Sequence, residues 1–253
     1  MKNTRSILFF ISFCLTGYSF AGNCSQTTPT VTLEKKETVL LNFSGGSSKP
    51  LGEYASKDLS RSTSGLALKG LAFQASMVLK LSTYVGACAA YNYQANAFAS
   101  DAFNKELLAS NPGITFTTKT TNWNIKGFYG GLYLTLPVKD INGLSLFGSA
   151  CVGLPKYVTP MIATTGIDMN TGVKATVTQS SSSTSAAGFL LNGGLLYKFN
   201  DFFGINVCAN YFSGKAEFKD VYISTSNNTF TYTHFSQKFE SLNIQAGVSF
   251  IIN

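Results

Sequence analysis

Apolar and polar side chains alternate along most of the chain from residue 65 onward. In the run 65–78, Leu71 and Met77 lie on one face, whereas Gln74 and Ser76 lie on the other. Because the side chains of a β-strand point alternately to its two faces, this period of two predicts a strand with one apolar and one polar face. Seven runs show the pattern, at residues 65–78, 85–96, 117–136, 144–154, 188–198, 204–211 and 241–252.

The polar faces of these predicted strands carry almost no charge. They are built from Gly, Ser, Asn and Gln, whereas the opposite faces carry Leu, Val, Phe and Tyr. A soluble β-barrel, the alternative, would place a charged polar face outside, so the composition favours a barrel with lipid outside and a polar interior. A closed antiparallel barrel of this kind has an even number of strands, and residues 36–43 are the best candidate for the eighth strand. The predicted fold is therefore all-β, an eight-stranded antiparallel up-and-down transmembrane β-barrel.

The predicted connections between the strands alternate in length. Short joints fall near 79–81, 137–143 and 199–202, and long polar segments occupy 44–64, 98–116, 156–184 and 219–235. Outer-membrane barrels have short turns on the periplasmic side and long loops outside, so the alternation orients the barrel. Within the long loops, residues 100–110 predict a short surface helix, and the serine-rich stretch 180–185 predicts a mobile loop without a site.

Several aromatic residues cluster near the ends of the predicted strands. An outer-membrane barrel needs aromatic girdles at the two membrane interfaces, whereas ordinary strand propensity is the alternative explanation. The residues toward the loop ends are Tyr91, Tyr93, Trp123, Tyr129, Tyr211 and Phe212, and those at a short turn are Phe199, Phe202 and Phe203.

The first residues predict an export signal. Lys2 and Arg5 precede the apolar run 7–15, and small residues follow up to Ala21. This order of a cationic start, a short apolar run and a small-residue cleavage site is typical of a secretory signal peptide. We therefore expect residues 1–21 to be removed on export, with cleavage after Ala21.

Two alternatives remain for the N-terminus. A membrane-anchoring helix would need about 20 apolar residues, more than the run provides. A lipoprotein would be modified at Cys24, although Asn23 is a poor fit to the small residue expected before a lipidation site. Under the signal-peptide prediction, residues 22–35 form a flexible mature N-terminus and residues 36–253 form the barrel.

The charge of the chain excludes a nucleic-acid-binding role. The sequence has 19 basic and 12 acidic residues, a formal net charge of +7, and two of the basic residues lie in the predicted signal. The remaining excess is mild and scattered, without the basic patch that nucleic acids require. Beyond the signal, no stretch approaches the roughly 18 unbroken apolar residues of a transmembrane helix.

The last strand carries the most specific motif. The segment 245–252, Gln-Ala-Gly-Val-Ser-Phe-Ile-Ile, resembles the terminal-strand signal of outer-membrane barrels, although Ile252 replaces a final aromatic residue and Asn253 follows. With the predicted signal peptide, the motif makes the chain similar to the OmpA/OmpX-like superfamily of small outer-membrane β-barrels. The resemblance implies a monomer in the bacterial outer membrane, inserted by the barrel assembly machinery through its C-terminal strand. It does not imply one activity.

Three cysteines occupy similar places on their strands. Cys88, Cys151 and Cys208 each follow a short turn and share the phase of the polar face, so all three are expected to point into the lumen as one layer. A disulfide and a thiol metal site are two hypotheses, but the tight spacing of metal motifs such as CxxC is absent. The third explanation is that they are small core-filling residues. No cofactor is predicted.

The single histidine belongs to a candidate catalytic group. His234 and Ser236 share one face near the outer end of the last strand, and Glu240 shares that phase. The stretch 234–237 resembles the His-aromatic-Ser-amide stretch of barrel lipid A deacylases, in which His and Ser act with a Glu, although the spacing to the Glu differs. A base beside a hydroxyl can activate a nucleophile if a carboxylate orients the base. The alternative is a solvated loop histidine.

The expected function follows from the predicted fold. An eight-stranded interior is filled by side chains, so we expect no wide pore and no enzymatic activity, but a structural, adhesion or surface-binding role through the external loops. A lipid A-modifying hydrolase and a narrow channel are the alternatives. Outer-membrane lipid and lipopolysaccharide are the expected partners. Five lysines and one arginine on the predicted outer loops are candidates for contact with anionic headgroups, and solvated surface charge is the alternative. They are Lys49, Lys57, Arg61, Lys105, Lys156 and Lys174.

Overall fold

The computed structural model describes residues 38–252 except residue 62. The elements are β1 (Thr38–Pro50), α1 (Gly52–Ala55), β2 (Ala67–Lys80), β3 (Val85–Phe98), α2 (Ser100–Ser110), β4 (Ile114–Thr120), β5 (Trp123–Pro137), β6 (Leu144–Gly153), β7 (Lys156–Val158), β8 (Ile162–Asp168), β9 (Lys174–Gln179), β10 (Ser183–Ser185), β11 (Gly188–Lys198), β12 (Phe203–Thr225) and β13 (Phe230–Ile252). In this part of the chain, no helix is both long and apolar enough to cross a membrane.

Eight of these strands form a closed antiparallel ring. Around the ring the order is β1, β2, β3, β5, β6, β11, β12 and β13, and every neighbouring pair is antiparallel. The ring closes where β1 pairs with β13, from Val39 opposite Ile252 to Pro50 opposite Ser241. The predicted eight-stranded up-and-down barrel is therefore confirmed.

The two faces of the ring have opposite chemistry. Leu71, Phe128 and Leu154 point outward and are 72%, 76% and 74% exposed, whereas Asn92 and Gln94 point into the lumen and are fully buried. In water this arrangement would expose the apolar side chains and bury the amides. In a bilayer the apolar belt contacts acyl chains, which is the environment that an outward apolar face requires.

The two ends of the ring differ in the length of their connections. At one end the strands are joined by short turns at residues 81–84, 138–143 and 199–202. At the other end, the connections carry both helices and five small strands. Outer-membrane barrels have their long loops outside the cell, so this is the external end. The helix predicted at 100–110 is confirmed as α2.

An external sheet continues from the ring on the long-loop side. Strands β12 and β13 extend past the other ring strands as one hairpin. The outer part of β12 also pairs with β9, which pairs with β8, which in turn pairs with β4. Separately, β7 pairs with the outer end of β5 and with β10. The long loops are thus largely built into short strands.

The first strand is longer than the sequence predicted. Residues 44–50 were expected in a loop because of their Ser and Gly content, but they continue β1. The serines face inward, where Ser44 Oγ donates a hydrogen bond to Gln245 Oε1 at 3.1 Å. Gly46 allows the backbones of β1 and β13 to approach closely, since a Cβ there would lie 2.0 Å from the carbonyl oxygen of Ile244. The polar residues of this segment belong to a strand that faces the polar lumen and do not form a loop.

Three other expectations were wrong in the external region. The predicted strand 117–136 is split between β4, which joins the external sheet, and β5, which joins the ring. The predicted loop 219–235 is mostly the outer end of the β12–β13 hairpin, and part of the stretch 180–185 forms β10. Polar strands outside the membrane lack the apolar face that marks the ring strands, so the period of two is weak there.

The N-terminal predictions concern residues that the structure does not describe. The expected signal peptide at 1–21 and the flexible mature segment at 22–35, with Cys24, lie outside the described residues. They therefore stay predictions.

The contact between β1 and β13 generates a test with two neighbouring glycines. A Cβ added at Gly46 overlaps the carbonyl oxygen of Ile244, whereas one at Gly45 would meet its nearest atom at 3.9 Å. We expect Gly46→Ala to destabilise the barrel by roughly 1–3 kcal/mol, as overpacking does, and Gly45→Ala to fold like the wild type. Heat-dependent migration on denaturing gels after refolding in detergent measures the folded fraction. Equal folding of the two variants would contradict the close contact.

Candidate functional site at the outer end of the barrel

The middle of the lumen is polar and uncharged. Asn92, Gln94 and Asn210 have no exposed surface, and no charged side chain occurs among the buried residues of the described part. Asn210 Nδ2 donates to Gln74 Oε1 at 2.9 Å, and Ser241 Oγ donates to Gln94 Oε1 at 2.8 Å. Each bond joins strands that lie three positions apart around the ring, so the network braces the barrel internally.

Some of the lumenal amides have no hydrogen-bond partner within the protein. Both amide atoms of Asn92 and the Nε2 atoms of Gln94 and Gln245 are buried without one. Buried amides are costly unless they are hydrogen-bonded, and water commonly supplies the missing bonds. The middle of the lumen therefore has the chemistry of a small hydrated chamber.

An aromatic plug lies between this chamber and the external loops. It consists of Tyr54, Trp123, Tyr157, Phe212 and Phe239, each at most 4% exposed. The ring of Phe239 is central, with its centroid 4.9 Å from that of Tyr54, 5.5 Å from Trp123 and 4.8 Å from Tyr157. Because these rings are buried and in contact with one another, the plug fills the outer end of the lumen.

The plug draws its members from different elements. Tyr54 comes from α1 in the first long connection, where burial raises the pKa of its phenol well above the ordinary value. Trp123 begins β5, and its Nε1 donates to the carbonyl oxygen of Gly65 at 2.9 Å. Trp123, Tyr129 and Phe212 are buried, so their predicted place in an interfacial girdle was wrong. Their phase along the strands, shared with the polar face, was the signal for an inward position.

The three cysteines are buried in the lumen, as their phase predicted, and all three are free. The Sγ atoms of Cys88 and Cys151 lie 3.9 Å apart, on either side of Gly131 in the strand between them. A disulfide has sulfurs about 2.05 Å apart, so this pair is a thiol contact. Cys208 lies elsewhere, with its Sγ 3.9 Å from Gln245 Oε1. The described residues contain no group of three or more His, Cys, Asp or Glu side chains placed to hold a metal ion.

The candidate catalytic residues are not assembled as the sequence suggested. His234 is exposed on the outward face of the β12–β13 hairpin, and Ser236 lies two residues along the same face. Glu240 instead accepts hydrogen bonds from Lys238 Nζ at 2.9 Å and Tyr211 Oη at 3.0 Å, and the bond from Lys238 lowers the pKa of its carboxyl. A carboxylate held this way does not orient His234.

A different carboxylate lies near Ser236. Glu217 is its cross-strand partner, and both line a cavity of about 520 Å³ together with His234. No hydrogen bond among these three side chains is present in the described residues, so the cavity has the residue types of a catalytic group without the bonded geometry that activates a hydroxyl.

An exposed aromatic cluster at the tip of the hairpin was not predicted from the sequence. Tyr222, Phe230 and Tyr232 are 38%, 66% and 60% exposed. Their ring centroids lie 5.7 Å apart for Tyr222 and Tyr232, 6.1 Å for Tyr222 and Phe230, and 6.4 Å for Phe230 and Tyr232. The spacing of two between Phe230 and Tyr232 was a strand signal, but the polar composition around them indicated a loop.

The same hairpin has an unpaired backbone edge. Strand β1 ends beside β13 at Pro50, and Leu51 N donates to the carbonyl oxygen of Glu240 at 2.8 Å. Between residues 230 and 239, β13 pairs only with β12 in the described structure. On its other side the Lys238 carbonyl oxygen accepts a hydrogen bond from Gln237 Nε2 at 3.0 Å. The remaining N–H and C=O groups there have no backbone partner among the described residues and can pair with an extended chain.

Comparison with known proteins finds likenesses of overall structure alone. The Neisserial surface protein A (NspA) aligns over 85% of this chain and 96% of its own, with 11% identity and a TM-score of 0.43. OprG from Pseudomonas aeruginosa covers 86% of this chain and 96% of its own, with 8% identity and a TM-score of 0.47. The outer membrane protease OmpT from Escherichia coli covers 85% and 95%, with 12% identity and a TM-score of 0.33.

Sequence comparison adds no relative. No family model matches the chain, and no curated protein matches it. By their names, OprG and OmpT are outer-membrane proteins and NspA is a surface protein. At these identities and scores the likenesses do not indicate what this chain does.

The aromatic plug predicts how accessible the lumenal thiols are. With Cys24 replaced by Ser to remove its thiol, we expect Cys88, Cys151 and Cys208 to react slowly with a membrane-impermeant maleimide added to intact cells. Tyr54→Ala removes a fully buried ring and opens a cavity in the plug, so labelling should become at least about tenfold faster. Tyr222→Ala, which removes an exposed ring, is the control and should not change the rate. Fast labelling of the protein with the intact plug would contradict a sealed outer end.

Proposed function

We propose that this chain is an outer-membrane protein that binds an external protein partner through its β12–β13 hairpin. The apolar belt supports a membrane position, and the long-loop end supports an external position for the hairpin. The role is adhesion or surface binding, and it assigns no catalytic step to the chain.

The reach of the hairpin supports this role. From Lys215, where the outward face of β12 becomes charged, to Thr225 the strand has ten further residues. A bulge between Phe218 and Val221 shortens this stretch, and β13 spans it in eight residues, from Lys238 to Phe230. At about 3.3 Å per residue, the tip therefore lies roughly 26 Å along the strand beyond that boundary. Because β9 pairs with β12 near the tip, the extension is braced by the external sheet. A braced projection of this length presents its tip well away from the membrane surface.

The chemistry of the tip supports a protein partner, and it is the observation that carries the proposal. Tyr222, Phe230 and Tyr232 form a contiguous exposed aromatic patch. Aromatic side chains give much of the energy at protein interfaces, because they bury a large area at low entropic cost. The free edge of β13 beside them offers backbone hydrogen bonds to an extended segment of the partner. Neither feature contributes to closing the barrel.

Adhesion of bacteria that display the protein tests the proposal. We expect displaying cells to adhere to a surface coated with purified extracellular proteins or to cultured epithelial cells. The triple variant Tyr222→Ser, Phe230→Ser and Tyr232→Ser should lose at least about tenfold of this adhesion, since it removes the aromatic contacts.

A second triple variant controls for a general loss of surface hydrophobicity. Leu108→Ser, Met169→Ser and Val173→Ser removes three other exposed apolar side chains, 47%, 62% and 65% exposed, from the external region. This variant should adhere like the wild type. Adhesion that survives loss of the aromatic cluster, or that is lost equally in both variants, would refute a binding role for the hairpin tip.

A further inference from the structure

Two lysines mark the outer boundary of the apolar belt on adjacent strands. The outward row of β5 runs from Leu136 to Phe128 without a charge, and Lys126 is its first charged residue. The outward row of β6 ends at Leu154, and Lys156 follows at the start of β7. Both lysines are exposed and lie where acyl chains give way to lipid headgroups.

These two lysines are direct cross-strand neighbours. Lys126 pairs with Lys156 in the β5–β7 ladder. Directly opposed residues have Cβ atoms roughly 4.5–5.5 Å apart, and like charges in such positions repel. An anion that lies between the two ammonium groups turns this repulsion into attraction.

A second lysine pair in the protein shows how such repulsion can be relieved internally. Lys215 and Lys238 are likewise opposed in the β12–β13 ladder. There, Glu240 forms an ion pair with Lys238 at 2.9 Å. Across the described residues, neither Lys126 nor Lys156 has an ion pair with an acidic side chain. An anion bound from outside the protein would therefore relieve the repulsion of this pair.

An apolar groove adjoins the unpaired lysines on the membrane side. It is shallow, with a volume of about 620 Å³, and it lies between the side chains of Tyr91, Phe128 and Leu154 over the backbone of Gly127 and Gly153. The ladder between β5 and β6 stops at Tyr129 opposite Gly153, so the groove follows a break in the ladder. Phe128 and Leu154 are among the most exposed apolar residues of the belt. The groove thus offers an acyl chain a surface directly below two cations.

The geometry points to a binding site for a phosphorylated glycolipid of the outer leaflet, the lipid A class. Lys126 and Lys156 hold one phosphate group between them, and an acyl chain of the same molecule lies in the groove beside Phe128 and Leu154. The site is independent of the proposed role of the hairpin tip, because it lies on a different part of the ring.

The charge of the lysine pair specifies the type of phosphate. A phosphate monoester carries about −1.5 to −2 charges at neutral pH, which matches two ammonium groups. A phosphodiester, as in common phospholipids, carries one charge and leaves half of the pair unneutralised. Charge-assisted hydrogen bonds from two lysines to one phosphate are also stronger than neutral ones. The site should therefore discriminate by the headgroup and not by the acyl chains alone.

Native mass spectrometry of the detergent-solubilised barrel tests the assignment. The probes are diphosphorylated lipid A, the same lipid A with its phosphates removed, and phosphatidylglycerol. We expect wild-type protein to retain phosphorylated lipid A at least about tenfold better than the other two, in line with two charge-assisted bonds. The variant Lys126→Gln, Lys156→Gln should lose that preference.

The internally neutralised pair supplies the matched control. Lys215→Gln, Lys238→Gln removes the same charge from the same end of the barrel but leaves the groove intact, so it should keep the tenfold preference. Heat-dependent gel migration confirms that each variant is folded. Equal retention of lipid A by the Lys126/Lys156 variant and the wild type would overturn the site. So would equal retention of dephosphorylated lipid A or phosphatidylglycerol by the wild type, or equal losses in the two double variants.

Discussion

The barrel is closed by the pairing of β1 with β13, and without this pairing the sheet would have two unpaired edges in the membrane. A bilayer offers no hydrogen-bonding partner to backbone N–H and C=O groups, so a sheet is stable there only when its two edges meet. Twelve residue pairs form this contact, from Val39–Ile252 to Pro50–Ser241. Once the ring is closed, the choice of outer and inner side chains follows: hydrocarbon outside demands apolar residues, and the narrow lumen accepts amides, hydroxyls and rings. Outside the membrane, water can bond to backbone N–H and C=O groups, and there β13 has an edge that pairs with no other strand among the described residues.

Much of the ring was predictable from the sequence because two different environments meet each strand. Hydrocarbon on one side and a polar lumen on the other force an alternation that is visible in Leu71 and Gln74 of β2. The prediction failed where only one of these environments was present. Ser44 and Ser48 continue β1 but have the composition of a loop, and Tyr222 and Tyr232 belong to the outer end of the β12–β13 hairpin, where neither face meets hydrocarbon. A period of two arises when the two faces of a strand meet different environments, and it is weak where the two environments are alike.

The candidate sites were less predictable, since they depend on which strands meet and in what register. The phase of the cysteines predicted three inward thiols, but only the observed pairing shows that Cys88 and Cys151 meet across Gly131 while Cys208 meets Gln245. In the same way, the shared face of His234 and Glu240 did not reveal that Lys238 and Tyr211 engage the carboxylate. The phase of a residue along its strand predicts which way the side chain points. Its contacts depend on the register between neighbouring strands, which the pattern along one strand does not show.

The uncharged lumen has a consequence for the conditions that the barrel withstands. Asn, Gln and Ser side chains do not titrate at any pH that a cell meets, and the buried residues described here include no Asp, Glu, Lys, Arg or His. Acidification or a change in ionic strength therefore has no buried ion pair to break, and the internal bonds from Asn210 and Ser241 hold unchanged. A bacterium that moves between fresh water, brine and an acidic compartment would carry this protein with the same interior throughout.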